Sequence, residues 1–159
     1  MSWTLPIIDR TQEDVNSAKS IRAEKLQNGV DFDDLTSAEK DAVIRGFIYD
    51  DTINRIENNQ QELKTLLNNA GYWGIPITNK TDWDWETDIF RAEDWRRILQ
   101  NENILKAAFY VYQDTPQTPN ETLYYTNLNA VEKILADLKA MIASMTGYYR
   151  ECNTFYCGE

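Results

Sequence analysis

The residue types and spacings best suited to chemistry fall together in Thr81-Asp82-Trp83-Asp84-Trp85-Glu86-Thr87-Asp88-Ile89-Phe90. Alternation along an extended chain sends Trp83 and Trp85 to one side and Asp82, Asp84 and Glu86 to the other. Asp82, Asp84, Glu86, Asp88 and, further on, Glu93 also stand at the first, third, fifth, seventh and twelfth places of an EF-hand calcium loop. Two features oppose that use. Thr87 occupies the place where the sharp turn calls for glycine, and the break from Gly71 to Pro76 removes the incoming helix. No metal site is therefore expected. The tryptophans should instead pin a surface loop to the helices while the carboxylates face water, with Asp88 or Glu93 near the next helix start. The alternative chemistry is carbohydrate binding, in which Trp73, Trp83 and Trp85 stack on sugar rings while nearby acids and amides hold the hydroxyls.

Little else in the chain is equipped for catalysis. There is no histidine, which removes Ser-His-Asp and Cys-His nucleophilic sites and His-ligated zinc. No Gly-rich phosphate loop, HExxH or CxxC motif occurs, so neither catalytic residues nor a cofactor are expected. The 26 acidic residues nominate no facing pair for glycoside hydrolysis. The acid spacing of a small helical muramidase is met only by Glu24 and Asp33, with Glu39 standing where a threonine belongs. Cys152 and Cys157 lie opposite each other if the end of the chain is a hairpin, and otherwise read as two reduced, small apolar residues. A net charge of -10 opposes binding to nucleic acid or to an anionic membrane. The N-terminus lacks the basic and apolar regions of a signal peptide, so synthesis in the cytoplasm is expected.

The elements that must position these residues are helical. Pro6 holds residues 1–10 as an extended arm carrying Ile7 and Ile8. Residues 11–147 form the helical domain. Thr11 with Asp14 opens the first helix, which runs through Val15, Ala18 and Ile21 to the stop at Asn28-Gly29. Thr36-Ser37-Ala38-Glu39 is a capping box for the second, and Ile53, Ile56, Leu63 and Leu67 mark the third up to Gly71. The second and third read as one rod bent at Gly46 and Asp50-Asp51-Thr52. Tyr72 to Arg91 is a long connection, with room for a short strand. A fourth stripe runs from Trp95 to Tyr112, and a fifth holds Leu128, Val131, Leu135, Leu138, Ile142 and Met145. After Gly147 the aromatic segment 148–159 reads as a β-prone tail or hairpin. The fold expected is mainly α, about five helices in an antiparallel bundle-like array. Ile7, Ile8, Tyr148, Tyr149, Phe155 and Tyr156 make the two ends apolar enough to be interfaces.

Several segments in order resemble a known family. They are Asp9 to Val15, Leu35 to Lys40, Asp51 to Asn59, Asp82-Trp83 followed by Thr87 to Phe90, Trp95 to Leu99, Leu128 to Leu135, and Thr154 to Glu159. Together they resemble the small, mostly helical structural proteins encoded in tail modules of phages and prophages of Gram-positive bacteria. The resemblance implies a non-enzymatic tail or baseplate component, located in the virion and made in the host cytoplasm. Its implied partners are other tail subunits or further copies of itself. With the sequence ending at Glu159, the resemblance favours an adaptor over a receptor-binding protein.

Overall fold

A computed structural model describes residues 3–152, with side chains through Met145. Five α-helices are present: α1 (Gln12–Glu24), α2 (Ser37–Gly46), α3 (Asp50–Asn69), α4 (Ala92–Ala108) and α5 (Tyr125–Cys152). No strand occurs among the described residues, so the connection from Tyr72 to Arg91 is extended but unpaired. Both predicted capping boxes form. The Thr11 hydroxyl accepts from the Asp14 N–H while Asp14 accepts from the Thr11 N–H, and Thr36 and Glu39 repeat the exchange. Hydrogen bonds from Lys25 and Thr36 hold the Glu39 carboxyl at about 2, well below its ordinary range.

The antiparallel arrangement expected from the sequence is realised by α1 and α2. Asp14 meets Arg45 at 3.1 Å at one end of the pair, and Lys25 meets Glu39 at 2.6 Å at the other. Gly46 has a different role from the helix break read in the sequence. A Cβ at Gly46 would lie 2.4 Å from both the Ala18 Cβ and the Asp14 carbonyl oxygen, so only glycine lets the two helices cross this closely. The rod does not continue into α3, because Phe47 and Tyr49 are both extended.

The other three helices run in one direction. Between α3 and α4, Glu57 pairs with Arg97, Gln60 with Asn101, and Tyr72 beyond one helix meets Phe109 beyond the other, ring centroids 5.0 Å apart. Between α3 and α5, Arg55 pairs with Glu132. Farther along the same two helices, Glu62 acts electrostatically on Lys139. Helices that run the same way need long returns, which explains the length of both connections. Residues 70–91 travel back along α3 and α4, and residues 109–124 travel back along α4 and α5. The N-terminal arm runs back along α3 and α5.

Each groove between neighbouring helices therefore holds an extended segment, and polar side chains on the helices bind its backbone. For the arm, Asn59 receives the Thr4 N–H and donates to the Thr4 carbonyl, Asn129 does the same at Arg10, and Glu132 accepts from the Ile7 N–H. For the first return, Asn54 brackets the Trp83 backbone, Glu57 accepts from the Lys80 N–H, and Asn101 bonds both polar atoms of the Thr78 backbone. For the second, Lys106 donates to the Pro116 carbonyl, and the Thr115 and Thr118 hydroxyls add side-chain bonds by donating to Asp137 and Asn103. An extended segment has no partner strand, so these side chains supply what a sheet otherwise would.

The main core joins Ile53, Ile56, Leu63 and Leu67 of α3, Trp95, Ile98 and Leu105 of α4, and Leu128 to Ile142 of α5. The α1–α2 hairpin buries Ala18 and Val43 outside that cluster. Three helix ends differ from the sequence expectation. Helix α1 stops at Glu24, and Leu26–Asn28 form a separate 3-10 turn ahead of Gly29. Helix α4 stops at Ala108, with Phe109 extended, rather than reaching Tyr112. Helix α5 passes through Gly147 to Cys152, so residues 148–152 are helical rather than a β-prone hairpin. The remainder of that tail, 153–159, lies outside the described residues.

The Gly46→Ala variant should lose about 1–3 kcal/mol, the usual cost of forcing a methyl group into a packed contact. Thermal melting followed by circular dichroism measures it, and an unchanged Tm would contradict the close crossing.

Candidate functional site

The segment singled out for chemistry is bound to the helices from within. Trp83 is buried: its indole N–H donates to Glu57 at 3.0 Å, its ring meets Phe90 edge-on at 5.3 Å, and Lys80 lies 5.0 Å above it. Trp85 is partly exposed, 6.3 Å from Phe90. Trp73 is 79% exposed and follows the far end of α3, whereas Trp83 sits beside Asn54 near its start. At the helical rise per residue, that separates the two by roughly 20 Å. The three rings thus share no common face, and Trp83 pins the loop to the helices as the sequence reading expects.

The carboxylates of the same segment are occupied locally. Asp84 accepts from the Glu86 N–H and the Thr87 hydroxyl, Asp88 accepts from the Asp84 N–H, and Lys80 bridges Asp82 and Asp88. Glu93 lies inside α4 and pairs with Arg91. No group of three or more such ligands converges anywhere among the described residues. Glu93 stands in the first turn of α4, near the helix start as read from the sequence, and Asp94 caps the helix by accepting from the Arg91 N–H.

Among the described residues three glutamates are fully buried, a feature the sequence did not single out. Glu57 holds Arg97, the Trp83 indole and the Lys80 N–H. Glu132 holds Arg10 at 3.1 Å and Arg55 at 2.8 Å, and it also receives the Ile7 N–H. Burial lowers the pKa of the Arg10 guanidinium although Glu132 opposes the shift. Neither oxygen of Glu102 has a hydrogen-bond partner among the described residues. Burial pushes its pKa well above the usual carboxylate range, with Lys106 opposing and Glu132 adding to the shift. Glu57 and Glu132 are structural clamps in the packed interior, Glu102 is enclosed there without a partner, and none of the three lines the seam groove.

The open surface lies elsewhere, along the seam between the α1–α2 hairpin and the three-helix bundle. Phe47, Ile48 and Tyr49, Trp85 from the first return, and Leu123 from the second form a continuous apolar groove. Ile89 and Tyr124 stand exposed beside it. Lys19 and Arg22 border it, and neither makes an ion pair or hydrogen bond among the described residues; the Arg22 guanidinium lies 5.8 Å from the Phe47 ring. Of these residues only Trp85 was singled out as a candidate from sequence. The available signal was Phe47-Ile48-Tyr49 and Leu123-Tyr124-Tyr125, two apolar runs at helix boundaries.

The predicted interface residues divide. Ile7 is partly buried in the arm's seat on the bundle, whereas Ile8 is 46% exposed. The side chains of Tyr148, Tyr149, Phe155 and Tyr156 lie outside what the structure describes, as do those of both cysteines.

Three outcomes are expected. Because folding raises the Glu102 pKa, its buried neutral form stabilises fully below about 4.5, its ordinary value, and progressively less as pH rises through the raised one. Glu102→Gln should therefore flatten the dependence of Tm on pH above 5. Glu102→Leu should gain about 1–3 kcal/mol at pH 7 by removing an unpartnered buried group. A wild-type slope retained in Glu102→Gln would contradict the assignment. Millimolar calcium should leave Tm unchanged, since its carboxylate ligands do not converge, and a rise reversed by chelator would show otherwise.

In comparisons with known proteins, the chain matches no family model, no curated protein and no solved structure.

Proposed function

We propose that this chain is a non-enzymatic structural or adaptor subunit of a phage or prophage tail or baseplate, acting through protein–protein contacts. The observation that carries the contact reading is the seam groove, an apolar surface built from three separate parts of the chain and flanked by exposed Ile89 and Tyr124. Exposed, contiguous apolar surface costs free energy in water and marks places where partners bind. The tail context is supported by the ordered segments that resemble tail-module proteins, Asp9 to Val15 and Leu128 to Leu135 among them. Glu57 and Glu132 bind arginines and backbone in the interior, in keeping with a binding role. No helix among the described residues is long and apolar enough to cross a membrane. The carbohydrate alternative is the weaker reading, because Trp73 and Trp85 stand on different parts of the surface.

Mass spectrometry of particles purified after prophage induction in the source organism tests the tail reading. Near-stoichiometric peptides from this chain are expected, and their absence from intact particles would overturn it. For the alternative, tryptophan fluorescence should stay unchanged across a panel of cell-wall sugars, and a saturable change would revive it.

A further inference from the structure

We propose that the seam groove receives the C-terminal aromatic segment of a second copy of this chain, so that copies associate head to tail. The proposal rests on the reading above that the protein works through protein contacts, and it names both the seat and the occupant.

Charge supplies the first reason. In a chain of net charge -10, the groove is bordered by two cations, Lys19 and Arg22, that have no acidic partner among the described residues. Its floor is apolar, formed by Phe47, Ile48, Trp85 and Leu123. A matching occupant carries rings and negative charge together. Residues 153–159, Asn-Thr-Phe-Tyr-Cys-Gly-Glu, hold two adjacent rings and an acid within seven positions. Phe155 and Tyr156 suit the floor, and Glu159 suits Lys19 and Arg22.

Reach supplies the second reason and decides between one copy and two. Tyr125, the first residue of α5, lines the groove, and the helix carries the chain away for 28 residues, about 42 Å at the helical rise. Fully extended, seven residues span about 25 Å. The segment cannot return to its own groove, so the groove that takes it belongs to another copy. An interface between two different surfaces of one chain is heterologous, and it propagates into a ring or a filament instead of stopping at a dimer.

Sedimentation velocity of the full chain over a wide concentration range tests this. Association should grow with concentration past the dimer and weaken at least tenfold in high salt, because Lys19 and Arg22 contribute charge pairs. The tail variant Phe155→Ser/Tyr156→Ser and the groove variant Arg22→Glu/Trp85→Ala should each be monomeric while melting like the parent. Mixed in equal amounts, they should form dimers and stop there, since only one intact groove and one intact tail remain. Should the groove variant misfold, Lys19→Glu alone should weaken association. A parent that stays monomeric, variants that still associate, or a mixture that stays monomeric would each overturn the proposal. A monomer found in virions would overturn head-to-tail docking alone, whereas an associating chain missing from virions would overturn only the tail reading.

Discussion

Three helices pointing the same way cannot be joined by short turns, and most of this structure follows from that constraint. Each return between α3, α4 and α5 must travel back across the bundle, and an extended return exposes a backbone donor and acceptor at every residue. Buried without partners, these groups would each cost about 1–3 kcal/mol. The helices answer with polar side chains at groove positions, where a simple bundle would carry only aliphatic ones. Asn54, Glu57 and Asn101 hold one return, Lys106 and Asp137 bind the other, and Asn59, Asn129 and Glu132 hold the arm. The buried polar residues are thus consequences of topology.

That solution leaves charge in the interior. Glu132 is enclosed with Arg10 and Arg55, and the single carboxylate ties the arm, α3 and α5 together. Such a cluster is only worth having when nearly every lone pair and N–H is used, because separating buried ions from water costs several kcal/mol each. Glu132 meets the condition by taking a backbone N–H as well. Glu102 does not, and burial pushes its pKa well above the usual carboxylate range. The arm is therefore part of the folded body and not an appendage, even though Ile8 on its outer side is left in contact with water.

Much of the fold was legible because helices announce themselves locally. Thr11 with Asp14 and Thr36 with Glu39 capped helices as read, and the stripe from Leu128 to Ile142 is buried as its spacing implied. Direction was not legible: a stripe shows which face is buried but not whether its neighbour runs up or down. The length of the segment between Tyr72 and Arg91 was the available clue, since antiparallel helices do not need one. Gly46 misled for a related reason, as glycine marks both chain breaks and close helix crossings, and only the partner, Ala18, distinguishes them. Trp83 and Trp85 looked like a pair because they alternate with acids. Glu57 and Asn54, nearly thirty residues earlier, hold one inside and leave the other at the surface.

The groove arises where two separately packed units meet. The α1–α2 hairpin closes around Ala18 and Val43, and the bundle closes around its own cluster, so neither needs the other's apolar side chains to complete its core. They are joined through the Arg10 clamp and the extended residues from Phe47 to Tyr49. Apolar residues at such a junction face a seam that is left partly open, because closing it would require two rigid surfaces to fit each other as well as themselves. A seam of that kind is preformed: its walls are fixed by cores that binding does not disturb, and little conformational entropy remains to be lost when a partner enters. The interior carboxylates and the surface groove are thus separate systems, one holding the walls in place and the other presenting them.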